Sequence, residues 1–386
     1  MSSYLGPVTV PDPSALAEVQ RLCDLAEPYD VGPGADALFV AAMNESNRWH
    51  AERSPFFANL WGAGEPLESI EDIARQPFVH ANFFKMHEVV SIPREDVKLH
   101  VTSSGTTGQK SQMFFDDWTL RSGQRMVARI FEHYGWIDPS RPVDYLIYTY
   151  QPKPGVNLGA SFTDHYLCDF APVRRVEYGL PSTGNGHEFD AFGAVRALLR
   201  SAEDGVPVRI FGFPAFLSFT LDRMRSLGLP PVNLSDDSLV LFGGGWKGNA
   251  DKQISKRELY AKITDQLGIP DERIRDGFGS VEHSVPYIEC ARHNMHVPVW
   301  SRVLIRDVRT LEPIPFGEPG YLQFVSPFIT SAPAQSVLMG DLATLHTPAE
   351  CGCGLDTPWF EIRGRAGLSR NKSCAIAAAE LLKDKS

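Results

Sequence analysis

Between Val101 and Ser111 the chain reads Val-Thr-Ser-Ser-Gly-Thr-Thr-Gly-Gln-Lys-Ser. Hydroxyls at Ser103, Ser104, Thr106 and Thr107 surround two flexible positions, Gly105 and Gly108, with one cation, Lys110. Glycines let the backbone turn its N–H groups outward, hydroxyls add donors, and a lysine adds a point charge, so the stretch has the chemistry of a phosphate cradle. It is not a Walker loop, which needs four residues between its glycines and a lysine directly after the second. Here two residues separate the glycines and Gln109 precedes Lys110. Taken alone, the stretch reads equally as a solvated Ser/Thr/Gly turn.

Three further groups carry polar chemistry. Gly243-Gly-Gly-Trp-Lys247 ends an apolar run and is either a second site loop or a tight, closely packed turn. Asp276-Gly-Phe-Gly-Ser-Val-Glu-His283 follows, and Met339-Gly-Asp341 and Gly364-Arg365 come last. The cysteines form two separate cases. Cys290, His296 and Cys351-Gly-Cys353 offer three thiolates and an imidazole in two short clusters, a donor set suited to closed tetrahedral zinc with a structural role. His293 is the rival fourth ligand. Cys374 stands beside Arg370 and Lys372, ahead of the apolar run Ala375–Leu382, and both the cations and a helix N-terminus favour thiolate over thiol. That is a nucleophile's surroundings, against the alternative of a small residue packing the last helix.

These residues need elements to position them. Apolar spacing predicts helices opening at Pro13-Ser14 and at Asp36, the latter as a cap, and a strand over Val97–Thr102 that delivers the hydroxyl loop. Asp116 or Asp117 caps the next helix. Strands over Val143–Tyr150, Val208–Phe213, Ser238–Phe242 and Arg273–Phe278 alternate with helices over Phe189–Arg200 and Ser255–Leu267, an α/β pattern. Ligands sit beyond the carboxyl ends of such strands, where the triple glycine falls. After residue 296 the texture turns to strand and turn, with Val297–Arg306 and Tyr321–Val325 as strands. The expected organisation is a helical region over 1–100, an α/β nucleotide-binding core over 101–296, a β-rich subdomain with the zinc site over 297–365, and a short tail over 366–386 carrying Cys374.

The chain has 386 residues, 43% hydrophobic and 22% charged, with a formal charge of -10. That balance gives no electrostatic footprint for nucleic acid, and the absence of a long apolar run argues against a membrane span. Six cysteines in so long a chain do not read as a disulfide framework, which with the lack of a leader points to the cytoplasm.

In this order, Ser103–Gly108, Gly243–Lys247, Asp276–His283, Met339–Asp341 and Gly364-Arg365 resemble the adenylate-forming superfamily of acyl- and aryl-coenzyme A ligases. More narrowly the chain is similar to the acyl-protein synthetase family, with phenylacetate-coenzyme A ligases as near relatives. The likeness is densest in Tyr287-Ile-Glu-Cys290, His296-Val-Pro, Leu311-Glu-Pro-Ile-Pro, Gly340-Asp-Leu and Phe360-Glu-Ile-Arg-Gly-Arg365.

The resemblance implies an ATP- and magnesium-dependent ligase that joins a carboxylic acid, fatty or aromatic, to AMP with release of pyrophosphate. It implies that Ser103, Ser104, Gly105, Thr106, Thr107, Gly108 and Lys110 hold the phosphates. Gly243, Gly244, Gly245, Gly279 and Ser280 belong to the nucleotide loops, and Phe278 takes the place of the usual adenine-stacking tyrosine. Glu282 would help hold magnesium, Asp341 the ribose hydroxyls, and Arg365 ribose or phosphate. Val281 stands where threonine is common, removing one hydroxyl. Cys374 matches the family's acyl-accepting cysteine, which hands the acyl group to a partner such as a reductase or carrier. The family's relatives carry a larger C-terminal domain with a catalytic lysine where this chain has a tail, so either Lys247 or Lys372 assists or the loop and magnesium suffice. Two other readings remain: direct attack of coenzyme A, an amine or a hydroxyl on the adenylate, and a non-catalytic nucleotide-binding subunit. Tyr148, Tyr150, Phe211, Phe213 and Phe216 suit either core or acid pocket.

Overall fold

The computed structural model describes residues 6–102, 112–152, 167–184 and 186–366. Hence 103–111, 367–386, and with them the hydroxyl loop, Lys372, Cys374 and the Ala375–Leu382 run, lie outside the described residues.

The chain begins with three helices, α1 (Ala17–Asp24), α2 (Ala35–Arg53) and α3 (Pro55–Trp61). Asp36 does not cap α2. Gly34 holds the N-cap position at φ 89°, a left-handed conformation that glycine adopts without penalty, and Asp36 sits in the first turn, where its carboxylate pairs with Arg302 at 2.6 Å. Next come β1 (Val79–His80), α4 (Phe83–Met86), β2 (Leu99–Thr102) and β3 (Gln112–Phe115), the last two pairing antiparallel on either side of the hydroxyl loop's position in the chain. Helix α5 (Asp117–His133) follows. Asp116 is its cap: Oδ1 accepts from the Thr119 N–H at 2.8 Å and Oδ2 from the Thr330 hydroxyl at 2.7 Å.

An alternating stretch follows: β4 (Val143–Tyr150), β5 (Val173–Leu180), α6 (Ala191–Glu203), β6 (Val208–Gly212), α7 (Pro214–Ser226), β7 (Leu239–Phe242), α8 (Lys256–Leu267), β8 (Ile274–Phe278) and β9 (Tyr287–Ile288). The sheet order is β5-β4-β6-β7-β8-β9, and the pairs from β5 through β8 are parallel. β4, β6 and β7 are buried along nearly their whole length, as expected of strands with covered faces. Leu146, Tyr148, Ile210, Val240 and Phe242 pack with Leu198, Leu217, Leu221 and Ile263 from the three helices. Tyr148 satisfies its buried hydroxyl on Thr220 at 2.8 Å. Tyr148 and Phe211 are thus core residues.

The rest of the chain supplies β10 (Met295–His296), β11 (Arg302–Arg306), β12 (Pro319–Val325), β13 (Ser336–His346) and β14 (Trp359–Arg365). These form an antiparallel sheet of order β10-β14-β13-β12-β11, with β1 joining β13 in parallel. The expected strand over Val297–Arg306 starts only at Arg302. Pro298 has no N–H to give a ladder, and its carbonyl instead accepts from Ser301 in a tight turn at 3.0 Å. At Gly320 in β12 an added Cβ would lie 2.3 Å from the Arg306 carbonyl oxygen, so only glycine allows this strand pair to approach as it does.

Two compact units emerge, and each draws on separated segments. The first holds 131–279 with 288–293 and contains the parallel layers. The second holds 6–130, 280–287 and the chain from 294 onward, and contains the antiparallel sheet. In the second, burial pushes His50 down to about 3, so the ring is neutral. Its Nε2–H donates to the Ile329 carbonyl at 3.0 Å, leaving Nδ1 to accept from Ser91 at 2.7 Å. No described helix is long and apolar enough to cross a membrane.

Candidate active site

Within the first unit, β6, β7 and β8 end side by side, and their carboxyl ends carry the glycine positions. Gly212 closes β6 at φ 118°, where a Cβ would lie 2.6 Å from the Tyr148 carbonyl carbon. Its carbonyl accepts from Gly243 N–H at 3.1 Å, and Gly244 and Gly245 continue at φ 74° and 66°. A Cβ on Gly244 would strike the Phe213 ring at 2.9 Å. Glycine is therefore required at Gly244 by both its left-handed backbone and the Phe213 ring, and at Gly245 by its backbone alone. Lys247, itself at φ 35°, lays its ammonium 5.0 Å from the Phe213 ring centre, a cation–π contact. Phe213 in turn meets Tyr150 edge-on at 5.6 Å and Phe216 at 6.3 Å. β8 runs into Asp276-Gly277-Phe278, and the Gly277 carbonyl approaches Gly243.

Within the second unit, Ser280–Ser284 fold into a tight turn, with Ser284 N–H donating to the Ser280 carbonyl at 2.7 Å. Glu282 is 6% exposed, yet its carboxylate makes no hydrogen bond or ion pair with described residues. A buried carboxylate in that condition has the chemistry of a cation ligand. The next residue, His283, is held neutral by burial, which pushes it down to about 3, and its Nε2 meets the Tyr287 hydroxyl at 2.8 Å. Asp341 lies opposite Arg365 across β13 and β14, and the Arg365 Nε stands 3.4 Å from its Oδ1. Burial raises the Asp341 carboxyl's pKa, with Arg365 and then Lys85 opposing. Ser280 Oγ lies 4.0 Å from Met339 Sδ, so the turn and the Met339–Asp341 strand are neighbours.

The cysteine cluster is brought together. Ligand atoms of Cys290, His296, Cys351 and Cys353 all lie within 4.8 Å of one another. His296 gives its Nδ1–H to the Thr357 carbonyl at 2.8 Å, which turns the Nε2 lone pair to the thiols, with Cys353 Sγ at 3.3 Å. A partner that fixes the tautomer in this way is what a metal-ligating histidine needs. His293 faces elsewhere: Nε2 meets Asp271 at 2.7 Å and Nδ1 lies 3.6 Å from Glu289.

Glu289 was not singled out from the sequence. Its side chain is fully buried, and its carboxylate receives Lys256, the Tyr260 hydroxyl at 2.8 Å and the Asp276 N–H at 2.8 Å. Burial alone would raise its pKa, but the His293 bond and the Lys256 charge hold it low. His293 responds in the opposite sense: burial favours its neutral form, and Glu289 and Asp271 together raise it. Asp276 is raised by burial, with Lys256 opposing. The available signal was a carboxylate inside the apolar run Pro286-Tyr-Ile-Glu-Cys290.

A family model described as "Acyl-protein synthetase, LuxE" matches residues 65–383. The chain belongs to the acyl-protein synthetase family. Among curated relatives, this acyl-protein synthetase is 26% identical over 282 residues to the long-chain-fatty-acid–luciferin-component ligase of Vibrio harveyi, covering 72% of this chain and 70% of that protein. Its counterpart from Aliivibrio fischeri is 22% identical over 355 residues, covering 88% and 87%. The phenylacetate-coenzyme A ligase of Thermus thermophilus is 25% identical over 324 residues, covering 78% of this chain and 64% of that protein. Among solved structures, 2-hydroxyisobutyryl-CoA ligase in the postadenylation state with R3-HIB-AMP superposes with a TM-score of 0.66 at 16% identity. The match covers 93% of this chain and 76% of that one and shows the fold of an adenylate-forming ligase. This acyl-protein synthetase is thus a ligase of mixed α/β fold.

Proposed function

We propose that this enzyme activates a long-chain fatty acid as its acyl-adenylate, takes the acyl group onto Cys374 as a thioester, and delivers it to a partner protein. The observation that carries this reading is the family match itself, which runs to residue 383 and so includes the cysteine-bearing tail. Its two relatives named for long-chain fatty acids favour that substrate class over an aromatic acid.

In the first step a carboxylate oxygen bonds to the α-phosphorus and the bond to the bridging oxygen of pyrophosphate breaks, pyrophosphate leaving with the electron pair. Little proton chemistry is needed; the protein's task is to place the reactants and neutralise phosphate charge. Ser103–Gly108 and Lys110 are assigned to the phosphates, Gly243–Gly245 and Gly279-Ser280 to the walls of the nucleotide site, and Phe278 to the adenine. Asp341 is assigned to the ribose hydroxyls and Arg365 to ribose or phosphate. Lys247, poised over Phe213, is assigned to the carboxylate end of the acid. Glu282, buried and unpaired among the described residues, suits a magnesium ion, which when bound neutralises phosphate charge. In the second step the Cys374 thiolate bonds to the acyl carbon and AMP leaves.

Cys290, Cys351, Cys353 and His296 are assigned to a structural zinc, a set of four protein ligands that leaves no open position for substrate. Metal analysis of the purified protein is expected to return about one zinc per chain, with loss in Cys353→Ser; a metal-free folded protein sinks this assignment.

The test of the activity is ATP–pyrophosphate exchange across a panel of carboxylic acids. Long-chain fatty acids are expected to stimulate it most. Exchange with no acid in the panel overturns the reading.

A further inference from the structure

The fold offers a lysine that sequence spacing did not single out. Lys85 lies on α4, a single turn held in place on several sides. Before it, β1 pairs in parallel with β13, His80 opposite Leu338, and the Ala81 N–H donates to the Leu338 carbonyl at 2.9 Å. The chain therefore enters α4 alongside β13, three residues short of Asp341. On the other side α4 packs against β3, the strand that leaves the hydroxyl loop. Phe84 is 1% exposed, and Phe83 stacks on Phe56 at 4.6 Å, so the turn is anchored by its aromatic residues. Lys85 on the same turn is half-buried, and its ammonium makes no hydrogen bond or ion pair with any described residue. Its charge nonetheless reaches Asp341, where it helps hold down a carboxyl that burial raises.

A half-buried cation that forms no ion pair among the described residues, yet is near enough to act on the carboxylate assigned to ribose, has charge left to meet a phosphate. We propose that Lys85 is a catalytic residue of adenylate formation, its ammonium meeting the charge that gathers on the α-phosphate as the acid's oxygen bonds and pyrophosphate departs. The lysine keeps its proton throughout: it stabilises, and neither gives nor takes a hydrogen. This rests on the assignment of Asp341 to the nucleotide.

The test compares the two half-reactions in Lys85→Met, Lys85→Arg and the parent. In Lys85→Met, exchange stimulated by hexadecanoic acid is expected to fall by about 100-fold, the usual loss when one charge-stabilising donor is removed. Acyl transfer from supplied hexadecanoyl-AMP should run at the parent's rate, and Lys85→Arg should recover part of the exchange. The arginine variant retains the charge and serves as the folded control, with thermal midpoints measured on all three. Parental exchange in Lys85→Met overturns the proposal, as does an equal loss in both half-reactions, which marks a structural role. A parent without exchange for any acid removes the activity itself, and this assignment with it.

Discussion

Replacing Cys374 with alanine is expected to abolish the acyl adduct seen by intact-mass measurement after incubation with ATP and a long-chain fatty acid. Delivery to a protein acceptor should fall by about 10³-fold or more, the scale of removing a nucleophile, while acid-dependent pyrophosphate exchange proceeds near the parental rate. The separation follows from the chemistry. Adenylate formation needs phosphate positioning and charge neutralisation, to which a thiol contributes nothing. Capture of the acyl group needs a thiolate, and Arg370 and Lys372, close by in the sequence, favour that form. An adduct of unchanged mass and yield on the alanine variant would remove Cys374 from the reaction. Normal delivery without any adduct would instead favour direct attack of the acceptor on the adenylate.

The second large effect is expected at Glu289. Alanine there strips one carboxylate from four partners at once: the Lys256 ammonium, the Tyr260 hydroxyl, the Asp276 amide and the His293 ring. Removing one member of a buried ion-paired group leaves the others desolvated and uncompensated, at a cost of about 3–5 kcal/mol. Glutamine keeps the shape but not the charge and should fall between alanine and the parent. Asp276 is both a neighbour of Glu289 in this group and the first residue of the Asp276-Gly277-Phe278 corner, so ATP affinity should weaken along with stability. Denaturant titration and nucleotide binding measured on the same preparations check both, and parental values for Glu289→Ala would show that the network carries neither.

What the sequence made legible tracks locality. β4, β6 and β7 were readable because buried parallel strands are short apolar runs, and α8 because Ser255 caps it, accepting from the Glu258 N–H at 3.2 Å. α7 was missed because Pro214 reads as a breaker, whereas it occupies the first turn, where proline costs nothing. β5 was missed because Arg174, Arg175 and Glu177 interrupt its apolar pattern; at a sheet edge those charges are tolerated and find partners in Asp144, Asp204 and Arg200. The four proposed zinc ligands were readable from donor type and spacing, and they meet. Lys85 and Glu289 were not, because their significance lies in neighbours such as Asp341 and Asp276 that local patterning cannot supply.

The interleaved chain order also bears on how the protein emerges from the ribosome. β1 is made early, yet its partner β13 appears more than 250 residues later, and Trp49 and His50 wait as long for Thr330 and Ile329. The parallel layers, drawn from 131–279 and 288–293, are complete well before that. The unit that starts first is therefore the one that finishes last, and α2 stays without the late partners of Trp49 and His50 through most of translation. Domains that fold as they are synthesised normally mature from the N-terminus. Here the order is reversed, and the early helices form the segment most in need of protection by chaperones while the rest of the chain is made.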